Sequence, residues 1–471
     1  MWKAVALAIP AAGRSLPHKV VANGVSMKDL TQGPTRSHLV RMAAPIAMGM
    51  VAQTLYYLID LYFVSRLGDD AVAGVSAAGT LVALVTGLTQ MLAVGTLAPI
   101  AQAVGAKDRS RANRMFGQAV LLAATCAFAT LLLGLPSLTT FMHGMSASPA
   151  AEVAGADYLR WYLPGLALSF PLTAASCALQ ATGLARPVMV ARVAALLANL
   201  VLAPVLIAGW GTGRAMGAAG AGLASSVASA IGLAMTAKWF ILSNSTLTIG
   251  VKSLRPDGVA LRRIVMIGTP VGVEFVLVFL LNAATFVLLR RFGADVQSGY
   301  GVGARVLEAI LTPAAAVAFA VPAVAGQNIG AGLATRARDA LRHALQIELA
   351  LTVPMVILCQ MFPEALVSPF TRDLAAAGAA ARFLSVVSWN FPAIGIVFGC
   401  SGMFQASGET WPGLASSALR SALFLIPALL LESRSEFSPV DIWLLSVATT
   451  PVQAVFSVLM ARGQLRRLLA R

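Results

Sequence analysis

The sequence predicts an all-α membrane protein with twelve transmembrane helices in two pseudo-symmetric six-helix lobes. Three observations predict it. Apolar stretches long enough to cross a bilayer recur along the whole chain. Basic residues crowd into alternate loops. Short motifs from the first half return at one fixed offset in the second.

Hydrophobic residues make up 58% of the 471-residue chain and charged residues 11%, whereas a soluble domain carries about 25% charged residues. A bilayer core about 30 Å thick takes roughly 20 residues of helix. Twelve stretches meet that length: 42–64, 74–100, 115–136, 158–182, 188–209, 218–242, 264–289, 298–326, 340–362, 380–405, 411–431 and 440–461. An α-helix satisfies its own backbone in lipid, which an open strand cannot do. Gly and Pro inside many of these stretches are tolerated there and allow kinks and close packing.

The loops set an orientation. With the N-terminus in the cytoplasm, 23 of the 34 Lys and Arg residues fall on the cytoplasmic side and 7 on the other. Four more, Arg192, Arg305, Arg382 and Arg420, lie within or at the edge of helices. The bias predicts an inner-membrane, multi-pass protein with both termini cytoplasmic. It also accounts for the net charge of +15. A nucleic-acid partner is not expected, because the basic residues form no contiguous face. Residues 1–41 read as a cytoplasmic tail, 42–243 as the N-lobe, 244–263 as a polar linker and 264–471 as the C-lobe with a short basic tail. The tail holds a short apolar run, Ala4–Ala12, without a convincing cleavage site, and Met27 is an alternative start. Cys126, Cys177, Cys359 and Cys400 sit in apolar segments without a CxxC or His cluster and read as packing residues.

The repeat is the sharper signal. Ala44-Pro45 matches Thr269-Pro270, and Arg66-Leu67-Gly68 matches Arg291-Phe292-Gly293. Gln102 through Ala106 matches Gln327 through Ala331, and Gln180-Ala181-Thr182-Gly183 matches Gln405-Ala406-Ser407-Gly408. The offset is 225 every time, and Pro187 with Pro412 continues it. Six helices per half make the repeats parallel, related by an axis along the membrane normal. Transporters built this way bind near the midplane, between lobes that rock about the site.

At these motifs the chain resembles the multidrug and toxic compound extrusion (MATE) family. The resembling residues are Pro45, Asp60 with Arg66-Leu67-Gly68, Gln102 with Gly105-Ala106, Gln180 through Gly183, Asn199 with Pro204, and Gly326 through Ala331. The resemblance covers roughly residues 36–465. It implies a two-lobe antiporter that exports small organic, cationic or amphipathic compounds against a proton or sodium gradient. No cofactor beyond that coupling ion is implied. Lipid and small-molecule substrates are the expected partners, and the working unit is expected to be a monomer.

A charge within a membrane helix costs about 2.5–3.5 kcal/mol on insertion scales, which marks it as functional by default. Asp60 is the leading candidate, with Tyr56 one turn earlier on the same helix face. Apolar burial favours the neutral form of a carboxyl. Such a group can take a proton from outside and release it when a cation binds. The bland alternative is an acid facing water at the outer helix end. In the family the matching Asp is central to coupling. Asn199 matches a family Asn often followed four residues on by an Asp, but Ala203 stands there. Asp60 and Asn199, with Ser225, would make a weak sodium cage. A proton site needs only one tunable carboxyl, so coupling to protons is favoured. Asn199 alone reads equally as an interhelical hydrogen bond.

Glu274 lies four residues after Pro270, about one turn before the family's coupling Glu, whose place Val278 takes. It is a substrate-cavity candidate or the partner of an Arg near the cytoplasmic end. Gln53, Gln180, Phe275 and Trp389 are further cavity candidates, as are Met91 and Phe279, although soft and aromatic side chains in a bundle commonly just pack. Arg305 and Glu308, three apart on one face, read as an ion pair. Glu348, after Arg342 and His343, is placed to snorkel toward the cytoplasmic surface. Arg192 and Arg420 line the lobe interface or snorkel. No GxSxG, HExxH or nucleotide-loop pattern supports an enzyme. The nearest rival is a lipid-linked oligosaccharide flippase of the same architecture, which Arg192, Arg305 and Arg420 would suit.

Overall fold

Lipid leaves the backbone no partner but itself, so the fold reduces to where each helix starts, where it stops and which face it buries. The structure is a computed structural model and describes residues 28–146, 148–211, 213–242, 247–248, 250–371, 373–432 and 437–470. The Ala4–Ala12 run and the alternative start at Met27 lie outside the described residues. Among the described residues there is no strand, and twelve helices are long and apolar enough to cross a membrane.

The N-lobe holds α1 (Thr35–Ser65), α2 (Asp69–Gly105), α3 (Arg109–Met145), α4 (Pro149–Ala181), α5 (Ala185–Ile207) and α6 (Ala218–Leu242). The C-lobe holds α7 (Gly258–Leu289), α8 (Ala294–Gly330), α9 (Ala334–Met361), α10 (Leu374–Ser407), α11 (Trp411–Glu432) and α12 (Pro439–Leu469). A 3-10 turn at Ser388–Asn390 breaks α10, and a short helix, Pro363–Val367, precedes it.

Most helices overrun their apolar stretches, because polar caps extend them past the hydrocarbon. The Asp108 and Ser148 side chains accept from the amides of Arg111 and Ala151. Asp257 accepts from the amides of Val259 and Ala260 and starts α7 at Gly258, six residues before its apolar stretch. Such caps satisfy the orphan donors of a first turn.

Packing divides the molecule by depth. One core cluster joins the lobes at the end that carries the termini. It unites Leu39, Met42 and Ile100 with Val317, Val321 and Phe404. Toward the other end the cores separate, one built from the N-lobe with Ile264 of α7 at its edge and two within the C-lobe. The lobes are therefore closed at the terminal side and parted at the other. Small residues make the closure. A Cβ on Gly105 would overlap the Gln327 carbonyl oxygen, and one on Gly330 would overlap that of Gln102. Gln102 Nε2 donates to the Ala406 carbonyl at 2.8 Å, and Gln327 Nε2 donates to the Ala181 carbonyl at 2.8 Å. Each glutamine thus crosses to the opposite lobe, at positions related by the 225-residue repeat. The segment before α1 adds a strap: the Leu30 amide donates to Gln327 Oε1 at 3.0 Å, and Lys28 N to the Thr182 carbonyl at 3.3 Å.

Glu348 does not snorkel. It is fully buried on α9, and neither carboxyl oxygen has a hydrogen-bond partner. Its Cβ lies where Gly395 of α10 leaves room, so the helices close over it before the side chain can reach the surface. An unpartnered buried polar group costs about 1–3 kcal/mol. Glu348→Met is therefore expected to raise the thermal midpoint in detergent, and an unchanged or lower midpoint would show that the carboxyl is satisfied. The four cysteines are free, three of them buried, in keeping with packing.

Candidate functional site

Helix register brings the polar residues of the N-lobe together. α1 and α5 run in the same direction, with Gly49 against Arg192. Seven residues further along each helix come Tyr56 and Asn199, and eleven residues further come Asp60 and Ala203. α5 and α6 run in opposite directions, with Gly232 against Ala195 and Gly220 against Leu206. That register puts Ser225 at the height of Asn199 and Ala203. α4 completes the wall, because Gly222 of α6 abuts the Tyr158 carbonyl and Gly165 abuts Ser226.

The result is a polar pocket inside an apolar lobe. Asp60 is 7% exposed, Ser225 1% and Asn199 0%. Asp60 Oδ1, both amide atoms of Asn199 and the Ser225 hydroxyl are buried without a hydrogen-bond partner. Buried polar groups are nearly always paired, so several orphans within one lobe set this pocket apart from the packing around it. Tyr56 lies beside both Asp60 and Ser225. The Tyr158 hydroxyl lies against the Asp60 carboxyl, and the Tyr162 ring packs tilted against that of Tyr158 with centroids 5.3 Å apart. Sequence reasoning missed both α4 tyrosines. Their signal was available as two polar aromatics four apart on one face of an apolar helix. Ala203, fully buried, offers no second carboxyl.

A second polar cluster lies in the C-lobe. Ser417 of α11 donates to Glu274 Oε1 at 2.6 Å, and Gln453 of α12 donates to Ser417 Oγ at 3.3 Å. Ser416 and Ser457 share a hydrogen bond of 2.6 Å beside it. Glu274 thus has a serine partner, and the alternative of an arginine pair is not met.

Gln53 is exposed and donates to the Tyr57 hydroxyl one turn on at 3.3 Å. Phe275 and Phe279 on α7 are 36% and 52% exposed, and Phe275 reaches Gly87 of α2, where the parted region begins. Met91 packs instead, against Gly268 and Gly272 of α7. Arg305 and Glu308 are both exposed and form no ion pair. Among the described residues the ion pairs are Arg114–Asp257 and His143–Glu152. An exposed pair gains too little to hold two side chains together, so the two charges stand free on α8. Trp389 is 62% exposed at the break in α10. Gln180 belongs elsewhere. It is buried in the last turn of α4, next to the Ala181 carbonyl that Gln327 grips, and so lines the closed end rather than the cleft. Arg192 packs between α5 and Gly49 of α1. Arg420 reaches Ser446 of α12 at 3.5 Å.

The MatE family model matches residues 45–205 and 270–430, two segments separated by the same 225 residues as the motifs. A FAD transporter of Shewanella oneidensis is 23% identical over 411 residues, covering 86% of this chain and 91% of the relative. A probable multidrug resistance protein NorM of Deinococcus radiodurans is 26% identical over 355 residues, covering 74% and 78%. Among solved structures, an outward-facing multidrug resistance MATE transporter superposes with a TM-score of 0.87 at 22% identity, covering 93% of this chain and 98% of that one. A MATE structure in the bent conformation gives 0.87 over 94% and 98%.

Proposed function

The chain belongs to the MatE family, and on that premise we propose that it is a proton-driven exporter of small organic, cationic or amphipathic compounds. The single observation that carries this reading is the buried N-lobe pocket, where Asp60, Asn199 and Ser225 hold unpartnered polar atoms. The positive-inside bias supports termini in the cytoplasm, so the parted end faces outward. In that state Asp60, near the outer end of α1, takes a proton from outside. Protonation removes the charge that attracts a cationic substrate, and the substrate leaves through the cleft. The lobes then rock to open the terminal end, and the proton departs inward as a new substrate binds. Neither half-cycle alone moves the other species, so the gradient drives export.

Oxygen count favours the proton over sodium. A sodium ion wants several oxygen ligands, and with Ala203 in place of an acid the pocket holds one carboxyl. The flippase alternative is not favoured, since Arg192 and Arg420 are packed within their own lobes rather than gathered into one cationic cavity.

The test is export of a fluorescent organic cation by inverted vesicles under an imposed pH or sodium gradient. A pH gradient is expected to suffice. Export driven by sodium alone would overturn the proton assignment. In the same assay Ala203→Asp, which adds a second carboxyl on α5, is expected to confer sodium stimulation that wild type lacks. No response to sodium in a folded variant would show that the α5 position does not reach the pocket.

A further inference from the structure

Two cavities lie outside the transport pocket, and the repeat relates them. The first, about 730 Å³, is walled by Gly258, Val259, Arg262, Arg263, Met266 and Gly408. Ile267 closes its floor. The second, about 250 Å³, is walled by Lys28, Asp29, Leu30, His38, Arg41, Met42 and Gly183. Four positions correspond at the 225-residue offset: His38 with Arg263, Arg41 with Met266, Met42 with Ile267 and Gly183 with Gly408. Both cavities are therefore one place seen in each lobe. It lies between the inner end of the lobe's first helix and the turn after its fourth.

Both are basic. The first carries Arg262 and Arg263, and the second carries Lys28, Arg41 and His38 against one acid in its wall, Asp29. Nearby acids are engaged. Asp257 caps α7 and pairs with Arg114 at 3.7 Å. Glu409 accepts from Gln464 at 3.4 Å, and Asp29 accepts from the Thr31 amide at 2.9 Å. Arginine side by side at such a cavity suits the planar, multi-oxygen geometry of a phosphate.

Apolar surface beside the arginines selects the carrier of that phosphate. Val259 is 82% exposed and Met266 53%. They begin a stripe at a spacing of seven along α7 that continues through Val273, Leu280 and Val287, each at least 47% exposed. On α1, Met48 and Leu55 stand at the repeat-related positions of Val273 and Leu280 and are joined by Val40 and Val51, each at least 45% exposed. A free anion would leave these stripes bare, whereas an acyl chain would cover them. The cytoplasmic leaflet is where anionic lipids concentrate.

The first cavity also touches the closure between the lobes. Arg263 Nη2 donates to Gln102 Oε1 at 3.1 Å, and Gln102 in turn grips the Ala406 carbonyl of the other lobe.

We propose that these paired cavities bind the phosphate headgroup of an anionic phospholipid of the inner leaflet, and that the lipid at Arg263 braces the outward-facing state through Gln102. The anion fixes the arginine, and the arginine fixes the glutamine that holds the terminal end shut.

Native mass spectrometry of the full chain tests it, with phosphatidylglycerol, phosphatidylcholine or inorganic phosphate added. Two phosphatidylglycerol molecules are expected to be retained and no phosphatidylcholine. Arg262→Gln with Arg263→Gln is expected to remove one, weakening that site roughly thirtyfold at about 1 kcal/mol per basic residue. Lys28→Gln with Arg41→Gln is expected to remove the other. Arg262→Lys with Arg263→Lys, which keeps the charge but loses the planar fork, is expected to hold lipid less firmly than wild type and more firmly than the glutamine pair, and so separates lost charge from lost fold. Undiminished retention by the glutamine variants, equal retention of phosphatidylcholine, or displacement of lipid by inorganic phosphate would each overturn the proposal.

Discussion

Asp60→Asn is expected to reduce gradient-driven export to the level of vesicles without the protein. Asparagine has nearly the shape of aspartic acid and stays neutral at every pH. It mimics the protonated state permanently and removes the step that links proton to substrate. The fold has little reason to fail, because Asp60 has no charged partner to strand: Oδ1 has no hydrogen bond at all, and the neighbour on the carboxyl is the Tyr158 hydroxyl. An uncharged side chain in an apolar pocket is, if anything, easier to bury. The measurement is export of a fluorescent cation by inverted vesicles across a range of imposed pH gradients, with the purified variant checked by thermal unfolding. Wild type should respond to the gradient and the variant should not. Asn199 and Ser225 carry no charge and their buried polar atoms hold no hydrogen bond that truncation would break, so Asn199→Ala and Ser225→Ala should each be milder. That ordering separates the coupling carboxyl from the groups that surround it. Export by Asp60→Asn equal to wild type would remove Asp60 from the coupling role and return it to the bland reading of an acid at a helix end.

The contrast between what was legible in the sequence and what was not follows the physics of lipid. The spans were legible because a bilayer demands a minimum apolar length, and every one of the twelve stretches became a helix. Their ends were less so, because Asp257 and Ser148 act through backbone geometry that hydropathy does not register. Asp60, Asn199 and Ser225 were legible as polar residues in apolar helices. Tyr158 was not singled out, because a tyrosine in a bundle looks like packing until its hydroxyl is found against a carboxyl. Glu348 and Gln180 were misplaced for one reason: sequence shows which helix a residue is on, but not whether a neighbour such as Gly395 lets another helix close over it. The Arg305–Glu308 pair failed because spacing permits contact without supplying a reason for it in open space.

Gly105→Val is expected to abolish export by a different route, by preventing the lobes from closing at the terminal end. The argument is steric. At Gly105 the end of α2 lies so close to α8 that a Cβ would overlap the Gln327 carbonyl oxygen, and the obstacle is backbone rather than a side chain that can swing away. Overpacking a tight core typically costs 1–3 kcal/mol, occasionally more. Here the cost falls on only one of the two states, because the contact exists only while the lobes are shut. A bias of about 3 kcal/mol acting on one state changes its population relative to the other by more than a hundredfold. The cross-lobe hydrogen bonds from Gln102 to Ala406 and from Gln327 to Ala181 are then lost together. Gly330→Val should act alike, since Gly330 meets the Gln102 carbonyl in the repeat-related position. Spin labels at Arg109 and Thr335, both exposed at the starts of α3 and α9, report the opening directly. Their separation should shift to the longer distance in Gly105→Val, and export should fall. Gly105→Ala adds the same overlapping Cβ with the least further bulk and should shift it less. An unchanged distance distribution in a folded Gly105→Val protein would mean that the close approach is not what holds the terminal end shut.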